Sequence, residues 1–147
     1  MSDRHLAAVR AHSLPLRVLV ADDHPLFRRG IARAIERHPA FELAGEAADG
    51  QDALRLIHAL KPDVAVLDVR MPGLGGIEVC AALQADPGAP RTALLLVSAF
   101  DDRALVRDAE SAGAAGYLAK DASQRDVCRA IEQVGRGRSA YPPPDAG

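Results

Sequence analysis

Residues 62–76 read PDVAVLDVRMPGLGG, and this stretch decides the fold. Its segment Val64–Asp68, VAVLD, carries no polar side chain until the final aspartate, and it is followed by the turn-forming Pro72, Gly73, Gly75 and Gly76. A short run this uniformly apolar and β-branched reads as a strand covered on both faces, not as one with a solvated side. Such a strand needs a layer of helices above and below the sheet. The aspartate that ends it then stands where the strand leaves the core.

Working outward, similar runs occur at 17–21 (RVLVA), 41–47 (FELAGEA), 93–98 (ALLLVS) and 116–119 (GYLA), which with 64–68 make five strands. Between them the apolar period changes to that of a helix. Phe27, Ile31, Ala34 and Ile35 form one inward stripe, and Val127, Ile131 and Val134 another. Further helices are expected at about 51–60, 76–86 and 102–112. Ser123 with Asp126 reads as the cap and acidic first turn of the last helix, and Gly113 as the stop of the fourth. Strict alternation predicts an α/β fold, a doubly wound, five-stranded parallel sheet with helices on both faces. The flavodoxin-like order 2-1-3-4-5 is favoured, because it gives the polar residues at the strand ends one common purpose.

The remaining features set limits. At 147 residues the chain suits one domain. A composition 48% hydrophobic and 26% charged, with a net charge of -2, is that of a globular protein without a basic surface for nucleic acid. With aromatics at 3% and no Trp, a base-stacking platform is excluded too. Cys80 and Cys128 stand alone, without the spacing of a zinc site or a disulfide framework, and read as small helix residues. Asp3, Arg4, His5, Arg10 and His12 break up the N-terminal stretch, so it lacks the apolar centre of a signal peptide, and no run is long enough for a membrane span. The expected compartment is the cytoplasm. Residues 1–15 read as an extension and 16–137 as the domain. After Val134 the pattern stops, so 138–147, with Tyr141, Pro142, Pro143 and Pro144, reads as the start of a stiff linker or tail.

In a doubly wound sheet, ligands bind beyond the carboxyl ends of the strands, near the point where strand order reverses. Asp22 and Asp23 follow the first strand, Asp68 ends the third, Ser98 the fourth, and Lys120 follows the last. Taken singly, each has a plainer reading: Asp22 or Asp23 as a helix cap before Pro25, Lys120 as a surface lysine, Ser98 as a loop hydroxyl. Taken together, they bring three carboxylates, a hydroxyl and an ammonium into one cleft. Carboxylates so close repel unless a cation intervenes, and Mg²⁺ is the hard cation that accompanies phosphate chemistry. An aspartate beside it can attack phosphorus, with Lys120 and Ser98 balancing the phosphoryl oxygens.

These residues also carry a resemblance. The stretches 19–30 (LVADDHPLFRRG), 62–76 and 94–122 (LLLVSAFDDRALVRDAESAGAAGYLAKDA) resemble the receiver domains of two-component response regulators, most closely the NarL/FixJ type. The resemblance covers about 16–137. It implies a signalling switch and not an enzyme, with Asp68 as phospho-acceptor and Asp22 and Asp23 as the pair that holds Mg²⁺ together with Asp68 and the backbone carbonyl of Arg70. It implies that Ser98 and Tyr117 act as the switch pair and Lys120 as the phosphate-binding lysine. Phosphorylation would draw Ser98 toward the phosphate and let Tyr117 turn inward. Tyr117 has a plainer reading as amphipathic packing. The Arg70 side chain either tunes phosphate lifetime or faces solvent, and His24 either touches the site or only starts a helix.

Two positions depart from the family pattern: Gly75 stands where an aspartate is common, leaving the loop conformation open, and Asp121 follows Lys120 where many receivers have proline. The partners implied are a sensor histidine kinase, a second copy through the helix 4–strand 5–helix 5 face, and DNA only through a helix-turn-helix domain absent from this chain. A stand-alone receiver acting by protein contacts is the alternative. An aspartate-nucleophile phosphatase of the haloacid dehalogenase type would show DxD after the first strand, where this chain has Asp22-Asp23-His24.

Overall fold

The computed structural model describes residues 14–99 and 102–142. Ten elements alternate: β1 (Leu16–Ala21), α1 (Pro25–Arg37), β2 (Phe41–Ala47), α2 (Gly50–Leu60), β3 (Val64–Asp68), α3 (Gly76–Gln84), β4 (Ala93–Ser98), α4 (Arg103–Ser111), β5 (Gly116–Ala119) and α5 (Gln124–Gly135). All pairings are parallel and the strand order is β2-β1-β3-β4-β5, as the sequence predicts.

The alternation of side chains along each strand divides the core in two. Leu19, Ala65, Leu67, Leu94 and Leu96 pack on one face with Ala53, Ile57, Val79 and Ala109 of α2, α3 and α4. Val18, Val20, Val64, Val66 and Val97 pack on the other with Ile31 and Ile35 of α1 and Val127, Ile131 and Val134 of α5. Every residue of β3 is buried, which agrees with its central place in the sheet. Both cysteines are free, Cys80 buried and Cys128 half-buried.

The helix ends differ slightly from expectation. α3 stops at Gln84, two residues before the expected 86, because Ala85 and Asp86 continue only as a capping turn. Asp102 is the N-cap of α4 and not its first residue, its side chain accepting the Ala104 N–H. Ser123 caps α5 by accepting the Asp126 N–H, and Gly113 follows α4 with φ +95°, both as expected. Leu16 joins β1 through a bond from its N–H to Ala40 O.

Among the described residues no helix is long and apolar enough to cross a membrane. The expected extension at 1–15 lies outside the described residues except for Leu14 and Pro15, as do Pro143 and Pro144 of the expected tail.

Candidate functional site

Strand register alone levels the site residues. Ala21 pairs with Leu67, Asp68 with Val97, and Ser98 with Ala119. Asp22, Asp68, Ser98 and Lys120 therefore lie in one row along the carboxyl edge. Lys120 is held to that row by its N–H, which donates to Ser98 O at 2.8 Å. The buried polar residues among those described are Asp22, Asp68 and Ser98, all at this edge. The sequence-predicted set thus comes together.

Asp68 is 3% exposed, with Oδ1 accepting the Arg70 N–H at 3.2 Å and Oδ2 accepting from Lys120 Nζ at 3.0 Å. Nζ lies 2.9 Å from Asp22 Oδ2 as well and 4.7 Å above the Phe27 ring. Burial holds the Asp68 carboxyl above its ordinary value, and the charge of Asp22 adds to this, against the lowering effect of the Lys120 and Arg70 hydrogen bonds. For Lys120, burial works toward a lower value, but its close contacts and charge pairing with Asp22 and Asp68 outweigh it and raise the ammonium pKa. One ammonium thus serves two buried carboxylates.

Neither Asp22 nor Asp23 acts as the N-cap of α1. That position is His24, without a side-chain cap bond, and Asp22 Oδ1 accepts the His24 N–H. Pro25 follows at the start of the helix, where its missing N–H costs nothing. His24 turns its ring into the site: Nδ1 is 3.0 Å from Asp22 Oδ1, 3.2 Å from Asp23 Oδ1, 3.8 Å from Asp68 Oδ2 and 3.1 Å from Lys120 Nζ. Of its two readings, contact with the site is the one observed.

The acidic oxygens are not all satisfied. Asp22 Oδ2 and Asp23 Oδ1 are shielded from solvent and take no aligned hydrogen bond; Lys120 Nζ lies 2.9 Å from the first and His24 Nδ1 3.2 Å from the second. Ligand oxygens of Asp22, Asp23 and Asp68 and the His24 nitrogen all lie within 4.8 Å of one another. Carboxylate oxygens grouped at this spacing, two of them without an aligned hydrogen bond, fit a small, hard, oxygen-seeking cation such as Mg²⁺.

Two contributors were not singled out by sequence reasoning. Phe27 belonged to the expected inward stripe, yet its ring also lies beneath Lys120. Arg28 donates from Nη1 to Asp22 O at 2.8 Å and from Nε to Glu46, tying the β1–α1 turn down, and nothing in the local pattern marks it. Tyr117 is only 2% exposed, its ring packed inward among the apolar residues of the α2–α3–α4 face. Gly75 is an ordinary N-cap for α3 by its dihedrals, but a Cβ there would meet Val69 O at 2.2 Å. The loop as folded passes too close to Val69, just past the end of β3, for an aspartate.

Comparison with known proteins gives the family. The family model of the response regulator receiver domain matches residues 18–132. The transcriptional regulatory protein NarL of Mycobacterium tuberculosis is 44% identical over 128 residues, covering 87% of this chain and 58% of that protein. The DNA-binding transcriptional activator DevR/DosR of the same species is 40% identical over 124 residues, covering 84% and 56%. The chain thus spans somewhat more than half the length of these relatives. The solved signal receiver domain of Mycobacterium tuberculosis NarL superposes with a TM-score of 0.82 at 45% identity, over 85% of this chain and 99% of that one. A LuxR-family two-component response regulator from Aurantimonas sp. gives 0.79 at 36% identity, over 86% and 89%.

Proposed function

Because this chain belongs to the response regulator receiver domain family, whose members act as signalling switches, we propose that it accepts a phosphoryl group on Asp68 from a sensor histidine kinase and uses it to switch an output. The observation that carries this reading is the buried Asp68 carboxyl, which shares the single Lys120 ammonium with Asp22 while two shielded oxygens of Asp22 and Asp23 lack an aligned hydrogen bond. A carboxylate kept basic by burial is a competent nucleophile once the charge around it is neutralised.

The donor's N–P bond breaks, an Asp68 O–P bond forms, and the donor imidazole leaves with the electron pair. Lys120 neutralises the incoming oxygens; Asp22, Asp23, Asp68 and the Arg70 carbonyl would hold Mg²⁺, which would supply charge neutralisation on the phosphoryl group. Leu26, 92% exposed one residue after Pro25, offers an apolar foothold to a donor protein beside the acidic pair. Ser98, at the same edge, reads the phosphate, and Tyr117 carries the change to the face formed by α4, β5 and α5, where a second copy docks. Residues 16–137 make the receiver and 138–147 begin the linker. DevR/DosR is a DNA-binding transcriptional activator, which supports transcriptional output here through a helix-turn-helix domain outside these 147 residues.

The reading is tested by intact mass after incubation with acetyl phosphate and Mg²⁺. One added phosphoryl mass is expected, absent without Mg²⁺ and absent in Asp68→Asn; a modification that survives Asp68→Asn overturns it.

A further inference from the structure

The chain beyond α5 does not simply lead away from the domain. α5 ends in a Schellman motif: Gly137 takes φ +83°, its N–H bonds to Val134 O at 3.0 Å, and the Arg138 N–H bonds to Gln133 O at 2.9 Å. This turn aims the following residues back along the sheet. Ala140 then pairs in parallel with Gly116 on the free edge of β5, its N–H bonding to Ala115 O and its O accepting the Tyr117 N–H, both at 3.0 Å. Alternation sends the next two contacts to opposite faces. Ala140 packs with the α1–α5 half of the core and Tyr141 with the α2–α3–α4 half, where its hydroxyl donates to Ala114 O.

The next rung of a parallel ladder would need an N–H from residue 142, which is a proline, so the pairing ends after one rung. The partner strand is equally specific. A Cβ on Gly116 would meet Ala140 O at 2.6 Å. The fastening is short, and it falls on the residue assigned to the switch.

We propose that the β5 edge is a docking surface for the chain's own residues 138–142, which fasten the Tyr117 backbone to that edge and couple Asp68 to whatever follows α5. Tyr117 lies two residues before Ala119, the strand partner of Ser98, so the acceptor edge and the docked segment bear on one short strand. The coupling rests on the reading above, in which phosphorylation favours inward Tyr117. Docking and phosphorylation then favour the same arrangement, and each strengthens the other.

Amide hydrogen exchange on the full chain, followed by NMR, tests this. In the resting wild type the Ala140 and Tyr117 amides are expected to exchange roughly tenfold more slowly than in Gly116→Ala, and Tyr141→Phe to fall between them. Unchanged protection of Val20 and Val66 confirms that both substituted proteins remain folded. Loading Asp68 with beryllofluoride and Mg²⁺ is expected to slow both amides further in the wild type. An Ala140 amide that exchanges at rest as fast as in Gly116→Ala overturns the docking; exchange that is unchanged or faster on loading overturns the coupling. Fluorine NMR of bound beryllofluoride reports loading separately. Failure to load counts against the phosphoryl-acceptor reading, while the resting comparison still tests the docking.

Discussion

The two ends of the same sheet treat polar groups in opposite ways. At the amino end, Asp63 accepts the Arg17 N–H with Oδ2 at 2.8 Å, while its own N–H and O bond to Arg17 O and the Ala93 N–H. Arg17 Nη1 donates to Leu60 O at 2.6 Å, and Thr92 Oγ1 to Pro62 O at 2.7 Å. Each group there closes a loop and is closed by it. At the carboxyl end, Asp22 and Asp68 share Lys120, and two shielded acidic oxygens lack aligned donors. One end uses polar groups to fix the backbone; the other keeps charge incompletely balanced, which is the condition of a site awaiting a ligand.

The contrast breaks most sharply at Lys120. Lys120→Met leaves Asp22 and Asp68 facing each other without a cation, and is expected to cost about 3 kcal/mol in metal-free urea unfolding. Added Mg²⁺ should restore part of that stability. A cost near zero would mean that the carboxylates are already relieved in some other way.

At the amino end the expected effect is smaller and of a different kind. Arg17→Met removes bonds to the Leu60 and Lys61 carbonyls and is expected to cost about 1 kcal/mol, with Mg²⁺-dependent phosphoryl uptake unchanged. Loss of uptake in Arg17→Met would show that the two ends are coupled.

A third, finer effect concerns the segment after α5. Burial raises the Tyr141 phenol to about 12, from an ordinary 10.0. Because the folded value is the higher one, the stabilising effect of this contact is complete below about pH 10 and is lost as pH rises through about 12. With two tyrosines and no Trp, absorbance titration resolves it, and Tyr141→Phe should remove the step near pH 12.

The sequence showed most of the fold because its signals were local: apolar runs for strands, stripes for helices, Ser123 and Gly113 for helix ends. The site was readable for the same reason, since a residue that ends a strand is placed by strand order alone. What escaped it depends on packing across the chain. The Phe27 stripe position does not reveal that Lys120 will lie over the ring, and the direction of the His24 ring follows from three carboxylates brought together only by folding. Residues 138–147 read as the start of a linker or tail, but the return to β5 rests on one long-range rung with no periodicity of its own.

The central claim is that unresolved charge at the carboxyl end exists for a ligand. A carboxyl raised by burial contributes stability while protonated and loses it as pH rises through the raised value, so ionisation of Asp68 works against folding. Thermal unfolding of wild type and Asp68→Asn, each with and without Mg²⁺, measures this directly. Without metal, Asp68→Asn is expected to be the more stable by about 1 kcal/mol, and Mg²⁺ is expected to stabilise the wild type much more than it stabilises Asp68→Asn. An Asp68→Asn chain that is less stable without metal, or an equal Mg²⁺ shift in both proteins, would contradict the account.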